Sequence, residues 1–304
     1  KLFYIVISIL LLGIVAVAGR TTYGAKINIT IGSIAIQPSE FVKILMVLFI
    51  ACMLVTDVSR KQVFTTVILC GVLILILAYS RDLGNAMIFY LTLLVMVYAA
   101  TQKPVYLLGG VGLFGLAAVV GYFAFSHVQT RVLAWKDPLA VIDSAGYQIS
   151  QSLFAIGTGG WFGTGLYQGM PKKIPVVETD FIFSAISEEL GGLFALCLIF
   201  ICIANFLMMF NIALQINNRF YKLIALGLGA LYASQVFTTL GGVTKFIPST
   251  GVTLPLISYG GSSLMATMLL FAMVEGLYQY RGVKEETDET EIYQRYAKKN
   301  RRRR

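Results

Sequence analysis

Charge is scarce in this sequence of 304 residues: Asp, Glu, Lys and Arg make up 13%, against 57% hydrophobic residues. An ordinary globular chain carries about a quarter charged residues, so a soluble domain with this composition could not hide its apolar surface. Histidine is scarcer still. His127 stands alone, following an apolar run, which excludes a histidine cluster for zinc and reads as an interfacial residue. The four cysteines, Cys52, Cys70, Cys197 and Cys202, all fall inside apolar runs without metal-ligand or disulfide spacing, and read as small buried residues. No internal repeat is visible. The chain also lacks an initiator Met, and no small-residue cleavage site follows its first apolar run, which argues against a signal peptide and for a processed or truncated start.

What is present is apolar length. A membrane helix needs about 20 mostly apolar residues. Runs of that kind occur at 2–18, 41–55, 63–79, 85–100, 105–125, 183–210, 223–240 and 263–278. The expectation is therefore an all-α polytopic membrane protein with about eight visible spans, forming one membrane domain over 1–304. Residues 63–100 read either as one broken unit or as two spans joined at Ser80-Arg81-Asp82-Leu83-Gly84.

Lys and Arg in short loops set orientation. With the first run leaving the cytoplasm, the inner connections hold Arg60 and Lys61, then Lys103, then Arg219 and Lys222, then a basic tail over 281–304 ending in four arginines. The net charge of +9 owes much to that tail, which suits an anionic cytoplasmic leaflet. It is not a nucleic-acid signal, because no soluble domain or aromatic-laced basic patch carries it. The long connection over 126–182 then lies outside. Its stretch 147–156 reads as a short amphipathic helix, and glycines at 157, 159, 160, 163, 165 and 169 follow, interleaved with Trp161, Phe162 and Tyr167. A loop this long in a compact membrane protein is usually functional.

That loop ends in a stretch, 172–191, holding four of the fifteen acidic residues: Glu178, Asp180, Glu188 and Glu189. Asp180 stands one residue before an apolar run. An acid there is costly unless wet, paired or used, which makes it the first catalytic candidate. Other polar groups map to the same, outer ends of spans. Gln37-Pro38-Ser39-Glu40-Phe41-Val42-Lys43 opens the second run, with Glu40 and Lys43 on one helical face. Asp82 suits the N-terminus of the fourth run. Lys245 precedes a Pro-, Gly- and Ser-rich stretch, Pro248-Ser249-Thr250-Gly251-Val252-Thr253-Leu254-Pro255-Leu256-Ile257-Ser258-Tyr259-Gly260-Gly261-Ser262-Ser263, and Thr179 adjoins Asp180. Irregular backbone at membrane depth must be buried in protein or line a wet cavity. One outward-facing polar cavity, receiving a substrate part lipid and part polar, accounts for all of them.

These same residues resemble the signatures of the SEDS family, the RodA, FtsW and SpoVE proteins. The motifs are Gln37 to Lys43, Asp82-Leu83-Gly84, Glu178-Thr179-Asp180-Phe181-Ile182-Phe183 with Glu188-Glu189, and Leu254 to Ser263, in family order over essentially the whole chain. Two departures stand out: Ser80-Arg81 precedes Asp82 where many members have Gln-Pro, and Glu178 stands where division members carry a histidine. The resemblance implies ten helices, the first two missing here. It implies a glycosyltransferase that polymerises lipid II, an undecaprenyl-pyrophosphate-linked precursor, at the outer face of the bacterial cytoplasmic membrane. It also implies work beside a class B penicillin-binding protein in elongation, division or sporulation.

On that reading Asp180 is the base for the attacking sugar hydroxyl. Glu40, Lys43, Asp82, Gln37, Thr179, Lys245, Ser258 and Ser262 line the substrate cavity. A divalent cation, Mg or Mn, held by Asp180 and Glu40 is a further expectation, with no organic cofactor. Lys43, and less directly Arg131 or Arg20, are candidates to hold phosphate. A flippase would instead place its site near the midplane between two related halves. A scaffold that only docks a partner would leave Asp180 and Glu40 without use.

Overall fold

A computed structural model describes residues 1–22, 25–31 and 34–301. Ten helices occur among them: α1 Leu2–Ala18, α2 Ser39–Leu54, α3 Arg60–Tyr79, α4 Leu83–Thr101, α5 Pro104–Ala124, α6 Ser126–Lys136, α7 Tyr147–Gly159, α8 Ile182–Gln215, α9 Arg219–Val243 and α10 Gly261–Arg301. Each of the eight expected runs lies on one of these helices. Six of the helices are long and apolar enough to cross a membrane, with α10 counted as far as Arg281. At 17 and 16 residues, α1 and α2 are shorter. The last residues of the basic tail, 302–304, lie outside the described residues.

Apolar runs alone do not say which helices are inside. α2 is buried nearly all round: Val42, Met46, Val47, Phe49 and Leu54 are fully covered. A helix that is apolar on every side and surrounded by protein need not match the bilayer's thickness. α2, α4 and α9 pack on one another at the centre. α1, α3, α5 and α8 surround them, and no residue of α5 is buried. Leu75 on α3, Phe123 on α5 and Phe200 on α8 are largely exposed, part of a lateral apolar surface far beyond what a soluble monomer shows. Lipid is the medium that covers it, so this is a multi-pass membrane protein.

The 63–100 region resolves into two helices. The turn between them places Arg81 at φ 62°, and Asp82 caps α4 by accepting the Asn85 N–H at 3.2 Å. A small three-stranded antiparallel sheet, β1 Arg20–Thr22, β2 Ala25–Ile31 and β3 Ile34–Ile36, adds to the helical plan. β2 alternates Ile with Asn and Thr, a strand signal weaker than the apolar runs on either side.

The long connection over 126–182 is structured. α6 was not expected; α7 covers the expected amphipathic stretch. Beyond α7 the glycines close against α8. That helix breaks at Gly191, whose φ of 86° is outside the helical region. The freed main-chain groups bond the glycine loop: Gly192 N–H to Gly160 O at 2.7 Å, Leu193 N–H to Trp161 O at 3.2 Å, Thr164 N–H to Glu188 O at 2.9 Å and Gly165 N–H to Glu189 O at 3.0 Å. A Cβ on Gly163 or on Gly191 would overlap the backbone of the other segment, so glycine is required at this crossing.

Candidate functional site

The irregular segment 244–260, between α9 and α10, is the hub of the polar groups. Lys245, Gly251 and Leu256 all adopt positive φ there, so the segment cannot continue either helix. Its backbone is satisfied from every side. Gln235 donates to Thr253 O at 3.0 Å, and the Thr239 hydroxyl reaches Val252 O at 3.1 Å and Thr253 O at 3.2 Å. Trp135 Nε1 donates to Lys245 O and Arg131 Nη1 to Ser249 O, each at 3.1 Å. The Ser258 hydroxyl donates to Thr179 O and accepts Leu254 N–H, while Tyr259 N–H donates to Glu178 O at 2.8 Å. Gly84 meets Val252 and Thr250, leaving no room for a side chain.

Asp180 is placed by these contacts. Its neighbours Glu178 and Thr179 are tied to the segment through their carbonyls, and a Cβ on Gly251 would lie 3.3 Å from Asp180 Oδ2. The carboxyl is half-buried. Burial pushes its pKa above the ordinary carboxylate range, with the Thr179 hydroxyl and the Arg131 charge pulling the other way. Arg131 is itself lowered by burial and held up by the charges of Asp180 and Asp82. The result is a carboxylate in a partly dry setting, faced by one guanidinium.

Beneath lies a buried charge pair. Lys43 Nζ donates to Glu40 Oε2 and to Gln235 Oε1, both at 2.6 Å. Glu40 and Lys43 are 3% and 2% exposed, so neither charge has access to water and each depends on the other. Gln235 passes the contact on to Thr253, which also pairs with Ser263 at 2.7 Å. Beside this chain, Asn85 Nδ2 donates to Asp82 Oδ2 at 2.9 Å and to Ser39 Oγ at 3.3 Å. Asn85 Oδ1 and Thr250 Oγ1 are buried without a protein partner.

Of the residues expected from sequence, Glu40, Lys43, Asp82, Asp180 and Ser258 bring side chains to this assembly. Ser262 accepts the backbone N–H of Gln37 at 3.0 Å, so Gln37 enters through its main chain. Thr179 and Lys245 also enter through carbonyls. The neutral polar partners were missed: Gln235, Thr239, Asn85 and Thr253. Gln235 had a signal, being an amide within the apolar run 223–240. The side chain of Arg20 lies outside the described residues. As for a divalent cation, no three His, Cys, Asp or Glu groups converge among the described residues. Glu40 is already matched to Lys43, and Asp180 alone does not make a cage, so the described residues do not fit a protein-held ion.

The family model described as cell cycle protein, FtsW/RodA/SpoVE, matches residues 1–282. The chain belongs to this family. A SEDS relative, peptidoglycan glycosyltransferase RodA of Mycobacterium bovis, is 40% identical over 276 residues, covering 83% of this chain and 57% of that protein. Stage V sporulation protein E of Bacillus subtilis is 34% identical over 284 residues, covering 89% and 74%. Among solved structures, a chain from a structure described as the structural coordination of polymerization and crosslinking by a peptidoglycan synthase complex superposes with a TM-score of 0.77 at 27% identity, over 91% of this chain and 80% of that one. The RodA crystal structure from Thermus thermophilus gives 0.67 at 28%, over 91% and 77%. The chain thus spans little more than half the length of the mycobacterial relatives it matches.

Proposed function

We propose that this chain carries the centre of a peptidoglycan glycosyltransferase that polymerises lipid II at the outer face of the bacterial cytoplasmic membrane. The observation that carries the reading is Asp180: a carboxyl half out of water, held over Gly251 by the bonds that Ser258 and Tyr259 make to the Thr179 and Glu178 carbonyls just before it, with Arg131 beside it. Membership of a family whose relatives include enzymes named peptidoglycan glycosyltransferase supports it.

In the proposed step the 4-hydroxyl of one sugar attacks the anomeric carbon of another. A carbon–oxygen bond forms, the bond from that carbon to the pyrophosphate oxygen breaks, and the lipid pyrophosphate leaves with the electron pair. Asp180 takes the hydroxyl proton; its raised pKa makes it a better base than a solvated carboxylate. Arg131 supports the charge that develops on the phosphates. The Glu40–Lys43 pair and Gln235 fix the floor of the segment on which Asp180 rests. The unpartnered Asn85 Oδ1 and Thr250 Oγ1 are acceptors free for substrate hydroxyl or amide groups. A class B penicillin-binding protein is the proposed partner, cross-linking the product.

The test is polymerisation of lipid II by the purified full chain, alone and with such a partner, in vesicles that also report lipid movement. Glycan made by wild type and lost in Asp180→Asn supports the reading. Lipid movement without glycan would replace it with a flippase.

A further inference from the structure

We propose that the tip of the glycine loop, 160–173, is an interfacial anchor that seats the outer loop in the headgroup region of the bilayer and favours anionic phospholipid. Trp161, Phe162 and Tyr167 are 67%, 86% and 87% exposed, and Met170 is 62% exposed. Their backbone is tied to α8 by the main-chain bonds around Gly191, so they are held outward rather than left loose.

The depth of the tip follows from α8. Before the break no residue of α8 is exposed; its exposed apolar stripe starts at Leu193 and Phe194, 54% and 48% exposed. From Leu193 to the helix end at Gln215, at about 1.5 Å per residue, is roughly 34 Å, close to the ~30 Å of a hydrocarbon core. Leu193 therefore marks the edge of the core. Its N–H donates to Trp161 O, which puts the tip at that edge. Trp and Tyr favour this level because one end of the ring is apolar and the other wet.

Charge selects the lipid. Lys172 and Lys173 are exposed on a short 3-10 turn directly after Met170. Of the acids beside the loop, Glu188 is turned inward, accepting the Met170 N–H at 3.0 Å with 6% of its surface exposed, and Glu189 is half-buried against Gly169, while Glu178 farther along is exposed. Two lysines beside lipid-seated aromatics suit phosphate-bearing anionic headgroups.

The sequence has two tryptophans, so the emission of Trp161 is the difference between wild type and Trp161→Phe. The full chain would be placed in vesicles of phosphatidylcholine, with and without phosphatidylglycerol, carrying lipids brominated near the headgroup or near the chain end. The expected result is loss of Trp161 emission with headgroup-side bromine, weaker loss with chain-end bromine, and protection from aqueous iodide. Phosphatidylglycerol should increase the loss in wild type and not in a Lys172→Glu, Lys173→Glu double variant. Phe162→Trp, as an added reporter, should gain emission quenched in the same pattern. Emission open to iodide and unaffected by brominated lipid overturns the proposal, as does a tip shielded only when a protein partner is added. Equal quenching with and without phosphatidylglycerol overturns the preference for anionic lipid.

Discussion

Asp180→Asn removes the proposed base while keeping the shape of the side chain. Polymerisation should fall by about 10²–10⁴, and the fold should hold. The sign of the stability change follows from the raised pKa. The unfolded chain ionises this group at lower pH than the folded protein does, so stability falls as pH rises from the ordinary carboxylate range through the raised value. Above that window the ionised Asp180 is a cost, and Asp180→Asn should unfold there at a temperature no lower than wild type. The same shift places the acid limb of the rate profile above the ordinary carboxylate range. Arg131→Gln removes a charge that holds the pKa down, so it should move that limb to still higher pH, read from initial rates across a pH series. The pair beneath behaves differently. Lys43→Met alone strands Glu40 without its counter-charge and should cost about 3–5 kcal/mol, whereas the double change with Glu40→Gln should recover much of that loss in thermal unfolding.

Among elements, the segment 244–260 and the crossing of the glycine loop with α8 are two places where backbone geometry is fixed by glycine. Gly251→Ala combines a φ of 74° with a Cβ close to Asp180 Oδ2. It should cost about 1–2 kcal/mol in strain and slow turnover by displacing the carboxylate. At the crossing, Gly191→Ala should lower the yield of folded protein, while Gly157→Ala, with open space around it, should not. These elements also mark what the sequence could tell. Long apolar runs announced the spanning helices, and α1 coincides with its run. The break at Gly191 was hidden because the residues on both sides remain apolar and helix-forming. α6 was hidden because the face it turns to the segment 244–260 carries Arg131 and Trp135 and so gives no apolar stripe. Acids in apolar context drew notice to Asp180, Glu40 and Asp82. Gln235 and Asn85, neutral and given their partners only in three dimensions, did not. Lys245 drew notice for its charge, yet what the fold uses is its carbonyl.

At the scale of the whole molecule, a buried trio of helices carries the polar floor, lipid-facing helices surround it, and the loop over 126–182 closes one end. The proposed orientation puts that loop outside and the ends of the short loops at Arg60 and Arg219 inside. Cysteines introduced at Lys172 and at Arg60, in a background with Cys52, Cys70, Cys197 and Cys202 replaced, should react with an impermeant thiol reagent on intact cells at the first position and not at the second. The reverse pattern would invert the topology and with it the access of Asp180 to an outer substrate. The central claim concerns chemistry at that residue. The most direct measurement is lipid II polymerisation by purified wild type beside Asp180→Asn, both verified as folded by thermal unfolding. The account predicts glycan strands from wild type and essentially none from the variant. Normal glycan synthesis by folded Asp180→Asn would contradict it.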